Sequence, residues 1–207
     1  KSVKNISQVT SALAAVSAPK ASRAQRQAEA TRHYAQKAFE IIQNLAAQPG
    51  TSATTHPLMM MRDDVKTIGL VLLTSDRGLA GSYNVSMVTL AERFLNAFGK
   101  PAKVIAVGRK GRDGMVRRGY DVIATFDRVP DPPSFLDIMP IARVTIDSML
   151  SGEVDQVFIG YSEYVNLVTR RPVIRQLLPL KPADLDGLPG AVYVSGVDSV
   201  EASQQSY

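Results

Sequence analysis

Residues 68–84 read I-G-L-V-L-L-T-S-D-R-G-L-A-G-S-Y-N. Six residues without a polar break empty into a loop holding Gly78 and Gly81. A short apolar run bounded by turn residues fits a strand. A helical pattern starts at Tyr83. Strand, glycine loop and helix together are also how many α/β proteins hold a phosphate. The loop therefore binds a nucleotide, performs chemistry, or is a structural turn.

Beyond this stretch the pattern alternates. Strands are expected over 67–74 and 103–107, with a short one near 121–125 and another over 155–161. Helices are expected over 83–98, 110–118 and about 134–151, and an extended stretch over 167–178. Ser134 with Asp137 three residues on resembles a capping box, and Pro140 disturbs the first turns of that helix. The fold class that follows is α/β, a Rossmann-like domain at 67–180 with a largely parallel sheet and helices on both faces. No internal repeat is present, and the stretch after 180, K-P-A-D-L-D-G-L-P-G, is loop-like.

Residues 1–48 read differently. Ile6, Val9, Leu13 and Val16 recur at spacings of three and four, and Ala24, Ala28, Ala35, Phe39, Ile42 and Leu45 continue the stripe. Alanine is abundant and glycine absent until Pro49-Gly50, so one helix roughly 70 Å long is expected. Pro19 is expected to kink it. So long a rod cannot lie wholly on one small domain, and its narrow stripe suits a second helix. Residues 49–66 form a linker.

The 207 residues carry a net charge of +5 and a sequence pI near 9.5, with no cysteine and two histidines, His33 and His56. Disulfides and thiolate metal sites are excluded, and most zinc and histidine acid–base chemistry with them. No apolar run reaches membrane-spanning length, and no export leader is evident. The chain begins at Lys1 within a helical pattern and ends in S-Q-Q-S-Y, so it is expected to be part of a longer protein.

The glycine loop fails each test for chemistry. It offers G-x-x-G rather than G-x-G-x-x-G, and Gly108-Arg109-Lys110 stands where a ribose-binding acid is wanted. No Walker lysine follows. Gly78 and Gly81 are therefore read as serving a tight turn. G-Y-S-E-Y at 160–164 is half of a nucleophile elbow, and Ser162 is better read as a strand-end or turn residue. Asp63, Asp64, Asp184 and Asp186 are read as solvated. Basic residues cluster at Lys1, Lys4, Lys20, Arg23, Arg26, Arg32 and Lys37, and again at Arg109, Lys110, Arg112, Arg117 and Arg118. Few aromatics lie among them for base stacking. A basic helical nucleic-acid-binding module on an α/β scaffold is the alternative reading; steep loss of affinity with salt identifies it.

S-D-R-G-L-A-G-S-Y-N at 75–84 resembles the signature S-D-R-G-L-C-G-G-[FYL]-N of the gamma subunit of F-type ATP synthases. K-S-V-K-N-I-S-Q-V-T-S-A-L-A-A-V-S-A-P-K at 1–20 is similar to that family's first shaft helix. H-P-L at 56–58, D-P-P-S-F-L-D-I at 131–138 and R-Q-L-L-P-L at 175–180 follow in the family's order. The resemblance implies a central rotor shaft whose N- and C-terminal helices form an antiparallel coiled coil inside a ring of alpha and beta subunits. It implies a Rossmann-like domain beside the epsilon subunit and the membrane c-ring, with no catalytic residue, cofactor, metal or nucleic acid of its own. It places the protein peripherally, on the cytoplasmic face of a bacterial plasma membrane. Ile6, Val9, Leu13 and Val16 are then the coiled-coil stripe, and Lys4, Lys20, Arg23 and Arg26 basic contacts of the shaft. Ser75, Asp76, Arg77, Gly78, Leu79, Gly81 and Asn84 form the signature turn, with Asp76 and Arg77 tying it to the shaft or to neighbouring subunits. Residues 181–207 would lead to a C-terminal helix absent from this sequence, without which the intramolecular coiled coil cannot form. Ser11, Leu13, Ala15, Pro19 and Ala80 depart from the usual Lys, Met, Met, small helix-former and Cys. Calorimetry of the α/β domain with ATP or NAD is expected to show no binding; a saturable isotherm would restore the nucleotide-site reading.

Overall fold

The computed structural model describes residues 2–47, 56–165 and 169–180. The chain divides into two compact units, Lys1–Gln48 and Pro49–Tyr207. The first is one helix, α1 (Ser2–Ala47), which runs on through Pro19. Proline there deletes one helical hydrogen bond but does not end the helix.

In the second unit β1 (Ile68–Leu73), β2 (Ala102–Val107), β3 (Asp121–Phe126), β4 (Gln156–Tyr164) and β5 (Arg170–Leu178) form one sheet in the order β3-β2-β1-β4-β5. The first four strands are parallel, and β5 returns antiparallel to β4. Ser162 pairs with Pro172 inside this ladder, so it lies within β4 rather than at a strand end. The connecting helices are α2 (Tyr83–Phe98), α3 (Arg109–Val116) and α4 (Phe135–Leu150).

The central position of β1 explains its unbroken apolar run. Ile68, Leu70 and Leu72 face Met87, Val88, Ala91, Phe94 and Leu95 of α2 and Met115 of α3. Val71 faces the opposite way, into a second core with Ile105, Met149, Val154 and Val157, against which Ile141 and Val144 of α4 pack. Two faces with one cover each leave no place for a polar residue. Phe94, Phe98 and Phe158 close the first core, with ring centroids 4.8–5.7 Å apart. Fully burying each such side chain contributes about 1.5–3 kcal/mol.

The second half of the expected linker is docked rather than free. Leu58 packs against the second core, and its carbonyl accepts the Leu180 N–H at 2.9 Å. Arg62 Nη1 meets Asp155 Oδ1 at 2.5 Å, and its Nη2 donates to the Met149 carbonyl at 2.9 Å. Asp155 Oδ2 accepts the N–H groups of Lys66 and Thr67 at 2.8 and 2.9 Å. Burial pushes the Asp155 carboxyl up, but the hydrogen bonds from Thr67, Arg62 and Lys66 outweigh it and hold the group below the ordinary carboxylate value.

Asp155 is thus held charged, and Asn can neither keep the ion pair nor accept all three donors. Asp155→Asn is expected to cost about 2–3 kcal/mol by urea unfolding at pH 7. A carboxyl with a depressed folded pKa stabilises above its unfolded value, near 3.9, and loses that contribution as pH falls toward the folded value. The gap between wild type and variant should therefore shrink below pH ~4. A gap unchanged down to pH 2 would refute the assignment.

Candidate functional site: the glycine loop and the long helix

The loop leaving β1 gives the helix it leads into one backbone acceptor, the Ala80 carbonyl to the Tyr83 N–H at 3.2 Å, and its main capping goes elsewhere. It caps α3, more than thirty residues on. Thr74 N–H donates to the Val107 carbonyl at 2.8 Å, extending the sheet by one residue. Thr74 Oγ1 then accepts the Gly111 N–H at 2.8 Å. The Ser75 carbonyl accepts the Lys110 N–H at 3.0 Å. Asp76 Oδ1 accepts the Arg109 N–H at 3.0 Å. Three consecutive loop residues thus satisfy three N–H groups of the first turn of α3, and the one with a full negative charge sits at the positive end of the helix dipole.

The other oxygen, Asp76 Oδ2, accepts the Arg128 N–H at 2.8 Å. One carboxylate therefore holds together the chain leaving β1, β2 and β3. Ser75 and Asn84 lock the base of the loop. The Ser75 N–H donates to Asn84 Oδ1 at 3.0 Å, Asn84 Nδ2 donates to Ser75 Oγ at 2.8 Å, and Ser75 Oγ donates to the Arg77 carbonyl at 2.6 Å. Tyr83 Oη donates to the Leu73 carbonyl at 3.0 Å, and burial pushes its phenol up.

Close approach has a requirement the motif itself does not show. At Gly108, with φ +96°, a Cβ would lie 2.4 Å from the Thr74 carbonyl oxygen. At Gly111 it would lie 2.6 Å from Thr74 Oγ1, and at Gly114 2.8 Å from a Val88 methyl. The spacing G-R-K-G-R-D-G at 108–114 is the legible signal for this contact. A one-sided row of glycines on a short helix marks where a neighbouring element presses in, by its backbone at Gly108 and by side chains at Gly111 and Gly114.

The expectation for the loop glycines holds for one and fails for the other. Gly81 adopts φ +57°, which favours glycine. Gly78 has no left-handed φ, and a Cβ there would meet nothing within 4 Å, so the turn does not depend on it. Leu79, not Gly78, takes the left-handed conformation, with φ 61°. Leu79 is 98% exposed, and Arg77 is exposed beside it. The signature therefore divides into an inward set, Ser75, Asp76 and Asn84, and an outward tip, Arg77-Gly78-Leu79. Both Asp76 oxygens accept hydrogen bonds within the α/β unit, one toward α3 and one toward the β3 exit.

On α1, Ile6, Val9, Leu13 and Val16 are each more than half exposed, and Lys4, Lys20, Arg23 and Arg26 are exposed. At about 100° per residue, Lys20 falls on the line of the stripe and Arg23 on its flank, whereas Lys4 and Arg26 lie on the opposite face. No group of three or more acidic or histidine side chains suited to a metal occurs among the described residues.

A family profile described as ATP synthase matches residues 1–206. The ATP synthase gamma chain of Desulforamulus reducens is 41% identical over 87% of this chain, and that of Chloroflexus aurantiacus 39% identical over 89%. The chain belongs to the ATP synthase gamma family. It spans 62% and 65% of the lengths of those two relatives. A chain from the central stalk and c-ring structure of the Tetrahymena thermophila mitochondrial ATP synthase shares the fold, with a TM-score of 0.50 and 24% identity over 70% of this chain and 67% of its own. Within the family the signature loop of this member is a cap for α3 plus an exposed tip.

Gly108→Ala forces a side chain into the Thr74 carbonyl at a left-handed φ. It is expected to cost about 3 kcal/mol or more. Asp76→Ala removes two charge-assisted hydrogen bonds and should cost about 2–3 kcal/mol. Gly78→Ala should change stability by about 0.5 kcal/mol or less. Urea midpoints of the three variants check the ranking, and equal effects at Gly78 and Gly108 would contradict it.

Proposed function

We propose that the chain is the central-stalk rotor subunit of an F-type ATP synthase. The observation that carries this reading is a 46-residue helix with an exposed apolar stripe in a chain of the gamma family. Such a stripe is stable in water only when a second helix covers it. In this reading the cover is the family's C-terminal helix, and the resulting coiled coil sits inside the ring of alpha and beta subunits. The α/β unit lies beside the epsilon subunit and on the c-ring. Proton flow turns the ring and the shaft, and the shaft's changing face drives ATP synthesis or hydrolysis at the beta subunits. The chain transmits torque and supplies no catalytic group, cofactor site or nucleotide site. It belongs peripherally on the cytoplasmic face of a bacterial plasma membrane; no helix among the described residues is long and apolar enough to cross one.

The rotor needs contacts that differ from the contacts of the fold. Leu79 fits that role. It holds a left-handed backbone, which disfavours leucine, and its exposed side chain does little for the stability of the unit. With Arg77 it forms a tip suited to a neighbouring subunit, and Lys4, Arg23 and Arg26 are suited to acidic or polar surfaces of the stator ring.

The full protein is expected to co-purify with alpha, beta and epsilon subunits, and deletion of residues 1–48 to abolish coupling between proton flow and ATP turnover. Normal coupling in the deletion strain would sink the reading. Joint charge reversal of Lys4, Arg23 and Arg26 should lower assembly or coupled activity several-fold. Arg77→Ala with Leu79→Ala should lower them too, while the urea midpoint of the chain stays within about 0.5 kcal/mol.

A further inference from the structure

A second exposed feature lies apart from the helix stripe and the loop tip. The first turns of α4 read F-L-D-I-M-P at 135–140. Phe135 and Leu136 are 78% and 74% exposed, and Ile138 and Met139 about half exposed. Farther along, the same helix buries Thr145, Ser148 and Met149 and packs Ile141 and Val144 on the second core. Its N-terminal third therefore stands clear of that core. The helix start is firm even so, because Asp137 Oδ2 accepts the Ser134 N–H at 2.8 Å and the Ser134 hydroxyl at 2.5 Å. The apolar turn is thus part of an ordered, capped helix. Its four large side chains expose on the order of 400 Å², comparable to the largest patch on a typical monomer and often functional at that size.

Charge narrows what covers it. The segment entering the helix carries Asp127 and Asp131, both exposed and without an ion pair among the described residues, against one base, Arg128. Asp137 adds a third carboxylate, held below the ordinary range by its hydrogen bonds from the Ser134 hydroxyl and N–H. A second copy docked face to face would bring two acidic rims together, and like charges there oppose association. An anionic lipid surface meets the same repulsion. We propose that the first turns of α4 dock a basic, amphipathic helical segment of another polypeptide, its apolar face against Phe135, Leu136, Ile138 and Met139 and its cations toward Asp127 and Asp131. An amphipathic helix engages such an exposed apolar face through anchors at i and i+3 or i+4, with its charged flank toward the rim. The proposal rests on the chain's assembly with other subunits of an ATP synthase, though not on its turning as a rotor; failure to co-purify with those subunits tests the assembly, and the crosslink tests this surface.

The test is photo-crosslinking in the assembled ATP synthase of the source cells. Leu136 is replaced by p-benzoylphenylalanine, a change at an exposed position that spares both cores. Illumination is expected to give one cross-linked product whose partner peptide, read by mass spectrometry, is net positive, apolar at helical spacing and from another subunit. Asp131→Lys should lower the yield at least five-fold, and the same photoprobe at exposed Arg143 should give none. A crosslink to lipid, to a second copy, to this chain itself or to an acidic segment would overturn the proposal. So would no crosslink, or a yield indifferent to Asp131→Lys. If the substituted chain assembles poorly, Phe135→Ser with Leu136→Ser is compared with wild type by thermal melt and by salt-titrated binding to the remaining subunits. Equal melting with binding weakened several-fold at low salt supports it; equal melting with unchanged binding refutes it.

Discussion

The first turn of α3 is the constraint on which the sheet's carboxyl end depends. A helix start leaves four N–H groups without helical partners, and packed beneath a loop they cannot rely on water. Thr74, Ser75 and Asp76 supply three acceptors in sequence, from a hydroxyl, a carbonyl and a carboxylate. Because those residues continue directly from β1, their placement also fixes how β1 meets β2 and β3. The second Asp76 oxygen reaches Arg128 and extends the same tie to the far strand. Each unpaired buried donor would cost roughly 1–3 kcal/mol, so loss of this short segment threatens more than a local turn.

That arrangement sets what the neighbouring sequence is allowed to be. Acceptors at hydrogen-bond distance bring the Thr74 carbonyl closer to Gly108, and the Thr74 side chain closer to Gly111, than a Cβ permits. Gly114 repeats the demand against Val88, so α3 packs on α2 at glycine distance too. The short, charged helix contributes few apolar side chains, with Met115 its one large fully buried residue. Its hold on the domain therefore comes from capping and close backbone contact more than from apolar area. Elsewhere the balance is reversed, and the two cores around β1 do most of the work.

Much of this architecture could be read from residues alone. The apolar run at 68–73 reads as a strand and the alternation after it as a largely parallel sheet, while the central place of that strand comes from the strand order. Helix periods separated the long first helix from the α/β unit, and the shared motifs carried the family. What escaped the reading was long-range pairing. Asp155 and Arg62 lie 93 residues apart, and neither carries a local pattern that names the other, so a docked segment reads as a linker. Gly78 shares a motif with Gly81, yet the loop's left-handed residues are Leu79 and Gly81, and nothing in the local pattern separates the two glycines. The α3 cap escaped for a related reason. A strand-loop-helix motif draws attention to the helix that follows it, whereas hydrogen bonds go to whichever donors lie closest in space.

The same capping bears on why a loop of phosphate-binding outline is unsuited to hold a phosphate at α3. A helix start attracts an anion through free N–H groups and a partial positive charge. At α3 those donors already face a carboxylate, a carbonyl and a hydroxyl from the chain itself. A phosphate arriving there would have to displace Asp76 or stand beside it. Two negative charges about 4 Å apart repel by roughly 4 kcal/mol at an effective dielectric of 20, more than a single exposed arginine returns. Displacing Asp76 would free the Arg109 and Arg128 N–H groups together and loosen the exits of two strands. The anion is thus built into the sequence as Asp76, and the loop's remaining freedom is confined to Arg77 and Leu79, which face outward and bear no part of the cap.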